Sequence, residues 1–141
     1  MEKNDNYYMN LALNEAKKAY EKDEIPIGVV ITLNNKIISK AHNLRDSSSI
    51  VTKHAEIIAI EKANRKMKNW RLLNTVLYCT LEPCNMCKEV IKEAKVGKVI
   101  YGAKNEKTNT EKNFIQINSR ELIEKCENLI KNKFKEIRNK E

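Results

Sequence analysis

His54-Ala55-Glu56 and Pro83-Cys84-Asn85-Met86-Cys87 are the two stretches around which the rest of the 141-residue sequence is arranged. Together they supply one imidazole, two thiols and one carboxylate in the pattern H-x-E … P-C-x-x-C. Three nitrogen and sulfur ligands without an evident fourth are typical of a catalytic zinc site, because such a site keeps one coordination position open for water. The sequence therefore predicts that His54, Cys84 and Cys87 bind one zinc ion per chain, together with a water or hydroxide.

Each stretch lies where a helix is predicted to begin. Pro83 favours a helix start, because its missing N–H would have no partner there. Cys84 and Cys87 are three residues apart and share one face of the first turn, where the helix dipole favours the thiolate that a metal requires. Glu56 follows His54 in the first turn of its helix and is predicted to be the catalytic proton carrier rather than a ligand.

The rest of the chain alternates helices and strands. Asn34-Asn35 predicts a two-residue hairpin turn, and alternation after an opening hairpin predicts an α/β fold with a central mixed five-stranded sheet and helices on both faces. No linker or repeat interrupts residues 1–141, so we expect a single domain. The apolar periodicity predicts helices over 5–22, 54–66, 84–95 and 118–138, and strands over 27–33, 36–41, 73–80, 98–102 and 114–117.

Composition limits the class of protein. The net charge of +8 favours an anionic partner, nucleic acid above all, although lysine and asparagine are abundant throughout the chain and a general compositional bias is the alternative. Cys79 and Cys126 lie in apolar or helical patterns and are expected in the core. No apolar run approaches the roughly 20 residues of a membrane span, and the polar start of the chain lacks a secretory signal, so we expect a cytoplasmic protein without a membrane partner.

The H-x-E … P-C-x-x-C pattern resembles the zinc deaminase signature. Flanking segments extend the resemblance over nearly the whole chain, to bacterial tRNA-specific adenosine deaminases of the cytidine/deoxycytidylate deaminase superfamily. The resemblance implies a three-layer cytidine-deaminase-like fold, a homodimer, and hydrolytic conversion of adenosine to inosine at the wobble position of a tRNA anticodon loop. The segments that carry it are 24–28, 41–43, 69–72, 78–84 and 99–103.

The resemblance also implies a set of substrate contacts. Asn43 matches the family asparagine that hydrogen-bonds the purine, and the backbone around Leu81 and Glu82 is expected to frame the pocket. The remaining positions implied in the same way are Glu24, Pro26, Ala103, Asn105 and Phe134.

Three departures from the family concern the substrate. Lys53 adds positive charge just before the H-x-E stretch. Asn105 stands where the family usually has an aspartate near the ribose, which suggests weaker discrimination of RNA from DNA and tolerance of single-stranded DNA. The segment 104–126 is shorter than the family's. A basic cluster near the C-terminus, interleaved with Phe134, suits single-stranded or flipped nucleotides; it consists of Lys131, Lys133, Lys135, Arg138 and Lys140.

Two alternative functions remain open on the sequence. The first is a deaminase of the same fold that acts on a free base or nucleoside, such as guanine, cytosine or adenosine, and the shortened segment favours it. The second is a non-catalytic nucleic-acid-binding module with a structural zinc. Glu56 argues against the second, because a purely structural zinc site has no use for a neighbouring carboxylate.

Overall fold

The computed structural model describes residues 4–140, with side chains through residue 139, and its central feature is a five-stranded sheet. Residues 1–3 and 141, at the ends of the predicted domain, and the side chain of Lys140 lie outside the described part. The elements are, in chain order, α1 (Asp5–Glu21), β1 (Gly28–Leu33), β2 (Lys36–His42), α2 (Arg45–Ser48), α3 (Ala55–Met67), β3 (Thr75–Leu81), α4 (Asn85–Glu93), β4 (Lys98–Ala103), β5 (Phe114–Gln116) and α5 (Arg120–Lys140).

The sheet is mixed, with the strand order β2-β1-β3-β4-β5. β1 pairs antiparallel with both β2 and β3, whereas β3, β4 and β5 run parallel. Asn34 and Asn35, between β1 and β2, have φ angles of 51° and 61°. Asparagine tolerates this left-handed region better than most residues do, and the predicted two-residue hairpin turn is confirmed.

Helices cover both faces of the sheet. Val29 and Ile31 of β1 belong to a core shared with α3 and α4, whereas Val30 between them packs in the core shared with α1 and α5. Successive strand residues point to opposite faces, so a strand buried on both sides is apolar throughout. Burying each such side chain contributes about 1.5–3 kcal/mol. The predicted mixed five-stranded α/β architecture is confirmed.

The structure adds one short helix to the predicted elements and shifts most of their ends by one or two residues. The short helix α2 lies inside the segment 43–53, for which the sequence predicts neither helix nor strand. β3 begins at Thr75 rather than at residue 73, because Asn74 has a left-handed φ of 64° that interrupts an extended strand. Among the helices described between residues 4 and 140, none combines the length and apolar character that a membrane span requires.

Candidate active site

The three predicted metal ligands converge at the N-terminal ends of α3 and α4. His54 immediately precedes α3, Cys84 immediately precedes α4, and Cys87 lies in the first turn of α4. Because both helices pack on the same face of the sheet, the ligand atoms of these residues all lie within 4.8 Å of one another. His54 Nδ1 lies 3.7 Å from Cys87 Sγ. One imidazole and two thiols at this separation form a three-ligand set suited to zinc.

The electrostatics of the site divide the two cysteines. The hydrogen bond to Cys84 and burial hold the pKa of the Cys87 thiol well above its ordinary value, whereas the pKa of Cys84 is lowered. A hydrogen bond from the Cys87 thiol, together with the backbone N–H groups of Cys87 and Met86, lowers the pKa of Cys84 to about 5. Cys84 is therefore a thiolate at neutral pH, which is the form that binds a metal. The backbone donors belong to the start of α4, so the helix N-terminus acts as the sequence predicts.

Glu56 is the carboxylate that accompanies this ligand set. Its side chain is buried, and burial raises its pKa to about 7. Its Oε1 atom has no hydrogen-bond partner among the described residues. Leaving a buried oxygen unpaired is unfavourable, whereas a water or a substrate amine in a catalytic zinc site would donate to it. The residues present therefore fit a zinc site in which Glu56 handles protons.

A cavity of about 150 Å³ opens over the ligand set. One wall comes from the segment before β1 and the start of α2, and the other from the end of β3 and the loop after β4. The residues that line it are Ile25, Ile27, Asn43, Arg45, His54, Glu56, Leu81, Glu82, Cys84 and Asn105.

Four of the predicted substrate contacts lie in this cavity, namely Asn43, Leu81, Glu82 and Asn105. The Asn43 Oδ1 atom accepts the backbone N–H of Ala55 at 2.8 Å. This bond ties Asn43 to the first residue of α3 and leaves its side-chain NH2 group as the donor for a ligand.

Glu24, Pro26 and Ala103 are buried beside the cavity and do not line it. The Glu24 carboxylate accepts backbone N–H groups from Asp46 and Ser47 at 3.1 and 2.6 Å, and also the Ser47 hydroxyl. Ala103 accepts the Glu82 backbone N–H at 2.8 Å. Glu24 and Ala103 thus hold the segments that form the walls, and Pro26 lies between the lining residues Ile25 and Ile27.

One residue of the predicted basic cluster on α5, Lys133, is not available to bind a phosphate. Lys133 is buried, and its Nζ atom donates to the Tyr20 carbonyl at 3.1 Å and to Asp23 Oδ1 at 2.7 Å. It therefore fastens α5 to the end of α1 and has no free face for a phosphate. Phe134 is 47% exposed and does not line the cavity. It lies in a surface depression with Lys131, Lys135 and Arg138.

The sequence did not single out four residues that shape this region. Ile25, Ile27 and Arg45 line the cavity, and Lys88 is completely buried behind its wall. The apolar pair on either side of Pro26 is a weak signal that could have been noticed. Arg45 and Lys88 carry none, because a charged residue in a loop or an amphipathic helix ordinarily faces solvent.

Comparison with known proteins places this site in a family. Residues 2–103 match the family model described as "Cytidine and deoxycytidylate deaminase zinc-binding region". A Bacillus subtilis protein named tRNA-specific adenosine deaminase is 39% identical over 148 residues, with 96% of this chain and 92% of that protein covered. A Streptococcus pyogenes protein of the same name is 50% identical over 101 residues, which cover 72% of this chain. The match spans only 64% of that streptococcal protein's length.

Solved structures show the same relationship. A structure from a study of A-to-I editing by tRNA:A34 deaminases at the wobble position superposes with a TM-score of 0.80 and 30% identity, over 88% of this chain and 99% of that one. Guanine deaminase from Bacillus subtilis superposes with a TM-score of 0.69 and 32% identity, over 72% and 66% of the two chains. With its ligand group, its carboxylate and the family match over most of its length, the chain belongs to the zinc-binding cytidine and deoxycytidylate deaminase family.

Proposed function

We propose that the protein is a zinc-dependent hydrolytic deaminase that converts adenosine to inosine in RNA, with the wobble adenosine of a tRNA anticodon loop as its substrate. The observation that carries the proposal is the buried Glu56, whose Oε1 atom lacks a protein partner, beside the convergent ligands His54, Cys84 and Cys87. The Bacillus subtilis relative supports the substrate, because this chain covers 92% of its length and it is named for tRNA and adenosine.

The reaction follows from the placement of these groups. A zinc ion held by His54, Cys84 and Cys87 would supply Lewis-acid activation of a water. Glu56 would take a proton from the attacking water and pass it to N1 of the adenine ring, while the water oxygen bonds to C6. Glu56 would then take the remaining proton from the new C6 hydroxyl and transfer it to the exocyclic amino group. The C6–N bond breaks, ammonia leaves, and C6 keeps its oxygen as the carbonyl of inosine.

The cavity supplies contacts for the base. In this proposal the Asn43 NH2 group donates to an acceptor on the purine, and the apolar side chains of Ile25 and Ile27 pack against the ring. The backbone of Leu81 and Glu82 frames the opposite side, and Asn105 lies near the ribose. All six residues line the cavity.

The surface of α5 is proposed to bind the rest of the RNA. Lys131, Lys135 and Arg138 are exposed around the half-exposed ring of Phe134. Cations position phosphates, and an aromatic ring stacks on an unpaired base. We extend the proposal to a homodimer formed in part through Met86, which is 42% exposed on α4 beside the site, and to a cytoplasmic location, where tRNA is modified in bacteria.

The direct test incubates the zinc-loaded protein with tRNA transcripts that carry adenosine at the wobble position and measures inosine and ammonia. We expect both products in equal amounts, and none from transcripts with guanosine at that position. Glu56→Ala should abolish turnover while the zinc content stays at one ion per chain. Full activity in that variant would refute the role of Glu56 and favour a non-catalytic binding module.

A free purine is the second candidate substrate, favoured by the 32% identity to guanine deaminase and by a cavity of only about 150 Å³. Salt separates the two candidates. Turnover of an oligonucleotide should weaken steeply as salt rises, since phosphate contacts release counterions, whereas turnover of guanine or adenosine should not.

Tolerance of single-stranded DNA is a third part of the proposal and rests on Asn105. Matched RNA and DNA hairpins, assayed side by side, test it. We expect measurable activity on DNA, and a higher ratio of RNA to DNA activity in Asn105→Asp, because a carboxylate accepts from the ribose 2′-hydroxyl and repels phosphate. Strict dependence of the unmodified protein on RNA would contradict this part.

A further inference from the structure

Lys88 is a fully buried lysine in the first half of α4, one residue beyond the ligand Cys87. Its Nζ atom donates to Glu82 Oε2 at 2.8 Å, to Thr108 Oγ1 at 3.3 Å and to the Asn109 carbonyl oxygen. An ammonium group has three N–H donors, so these acceptors satisfy it completely. The buried charge is therefore both paired and fully hydrogen-bonded, as burial requires.

These contacts lead to the wall of the cavity. Glu82 and Asn105 both line it. The second oxygen of Glu82, Oε1, accepts the Asn105 backbone N–H at 3.2 Å, and the Asn105 Nδ2 atom donates to the Glu82 carbonyl at 3.4 Å. Thr108 donates its hydroxyl to the Asn105 carbonyl at 3.1 Å. Lys88 thus holds Asn105 from two sides, through Glu82 and through Thr108.

The segment held in this way has little other support. Residues 104–113, between β4 and β5, form neither helix nor strand, and most of them are exposed. A loop of this kind is ordered by the few fixed groups that it contacts. Lys92, one turn further along α4, also reaches the segment, at Glu111, but from solvent and at a side-chain exposure of 44%. Exposed pairs contribute little, so Lys88 is the stronger constraint.

We propose that Lys88 is a positioning residue that fixes Glu82 and Asn105 in the wall of the cavity and so sets the affinity for the substrate nucleotide. The chemistry depends on Glu56 and the metal ligands. The Lys88 ammonium group donates to none of them; only its backbone N–H does, to the Cys84 carbonyl at 2.9 Å as part of the helix. This proposal rests on the proposed function for its substrate, and it makes an independent structural claim about the order of the 104–113 segment.

The kinetic test compares Lys88→Met with Lys92→Met in the zinc-loaded protein on a tRNA anticodon hairpin. For Lys88→Met we expect KM to rise about tenfold or more while kcat changes by less than about threefold. Lys92→Met should resemble the unmodified protein, and Lys88→Arg should recover part of the loss in KM. A fall in kcat at unchanged KM, or equal behaviour of the Lys88→Met and Lys92→Met variants, would overturn the proposal.

Amide hydrogen exchange separates this proposal from the function on which it rests. In Lys88→Met the amides of residues 105–109 should lose more protection than those of β3 and α4, which decrease only by the common loss in unfolding free energy, and the zinc content should be unchanged. Should the unmodified protein deaminate no hairpin, the proposed function fails, and exchange alone decides the role of Lys88. Unchanged protection of residues 105–109 would refute it.

Thr108→Val is the second variant, should Lys88→Met fail to fold. It removes one acceptor of Lys88 at the loop end and leaves the pair with Glu82 intact. We expect a smaller rise in KM in the same direction, again without loss of kcat, and faster exchange confined to residues 105–109. Kinetics and protection identical to those of the unmodified protein would count against the proposal.

Discussion

A buried glutamate holds each of the two walls of the cavity. Glu24 holds the wall that includes the start of α2 (the α2 wall), and Glu82 holds the wall formed by the end of β3 and the loop after β4 (the Glu82 wall). On the α2 side, Glu24 accepts the backbone N–H groups of Asp46 and Ser47 at 3.1 and 2.6 Å, and the Ser47 hydroxyl. On the other side, Glu82 accepts one backbone N–H, from Asn105 at 3.2 Å, and pairs with Lys88 at 2.8 Å. Uncharged hydrogen-bond donors therefore satisfy the Glu24 carboxylate, whereas a buried cation pairs with the Glu82 carboxylate.

This difference determines how strongly each wall is destabilised when its carboxylate charge, or the partner of that charge, is removed. Backbone and hydroxyl dipoles carry no net charge. Removing the charge of Glu24 therefore leaves no unpaired ion buried in the α2 wall. Glu82 and Lys88 are both almost completely inaccessible, at 3% and 0% side-chain exposure. Breaking such a pair leaves an uncompensated charge in a low dielectric. The Glu82 wall is therefore the more rigid of the two and the less tolerant of single substitutions.

The largest effect is expected from Glu82→Gln. It keeps the size of the side chain but leaves Lys88 buried without its counter-charge, which destabilises the fold by about 3–5 kcal/mol. Urea unfolding of the zinc-loaded protein measures the loss. The double variant Glu82→Leu with Lys88→Leu should recover much of it, because both charges are removed together.

Glu24→Gln should have a smaller effect. The amide still offers one acceptor oxygen to the Ser47 or Asp46 N–H, so about 1–3 kcal/mol is lost through the unsatisfied donors that remain. The loss should be local, with faster amide exchange at residues 45–48 and little change in β1 or β3. A destabilisation equal to that of Glu82→Gln in the same unfolding experiment would show that the two walls do not differ as described.

The site also shows which features the sequence could predict and which it could not. His54, Cys84 and Cys87 were identified because metal binding demands particular residue types at fixed spacing, and the sheet followed from apolar runs such as the one in β1. The two-residue turn at Asn34 followed from local backbone preference. In each case the signal is contained within a few neighbouring residues.

The contacts behind the walls could not be predicted in this way. Lys88 lies in an amphipathic helix, where a lysine is ordinarily solvated, and its partners Thr108 and Asn109 are about twenty residues away in a polar loop. Lys133 appears in sequence as part of a basic cluster, yet it is buried against the end of α1. Such pairings depend on tertiary packing, which no local pattern encodes.

The smallest expected effect is the pH dependence of the α2 wall. Burial acts to raise the pKa of Glu24, but the hydrogen bonds from Ser47 and Asp46 and the charge of Arg45 outweigh it, so the pKa lies below its ordinary value of 4.5. Asp23, next in the chain, is already paired with Lys133. A carboxylate with a lowered pKa stabilises the fold above its ordinary pKa, and this contribution is lost as the pH falls through the lowered value.

The difference in unfolding free energy between the unmodified protein and Glu24→Gln should therefore be constant from about pH 5.5 to 7 and shrink below about pH 4.5. Taking the difference removes contributions common to both proteins, including loss of metal in acid. Glu61→Gln, at an exposed pair with Arg65, is the control and should differ by less than about 1 kcal/mol at every pH. If the difference in unfolding free energy between the unmodified protein and Glu24→Gln instead grows toward low pH, the Glu24 carboxyl is held in its protonated form. The α2 wall would then not depend on the charge of Glu24.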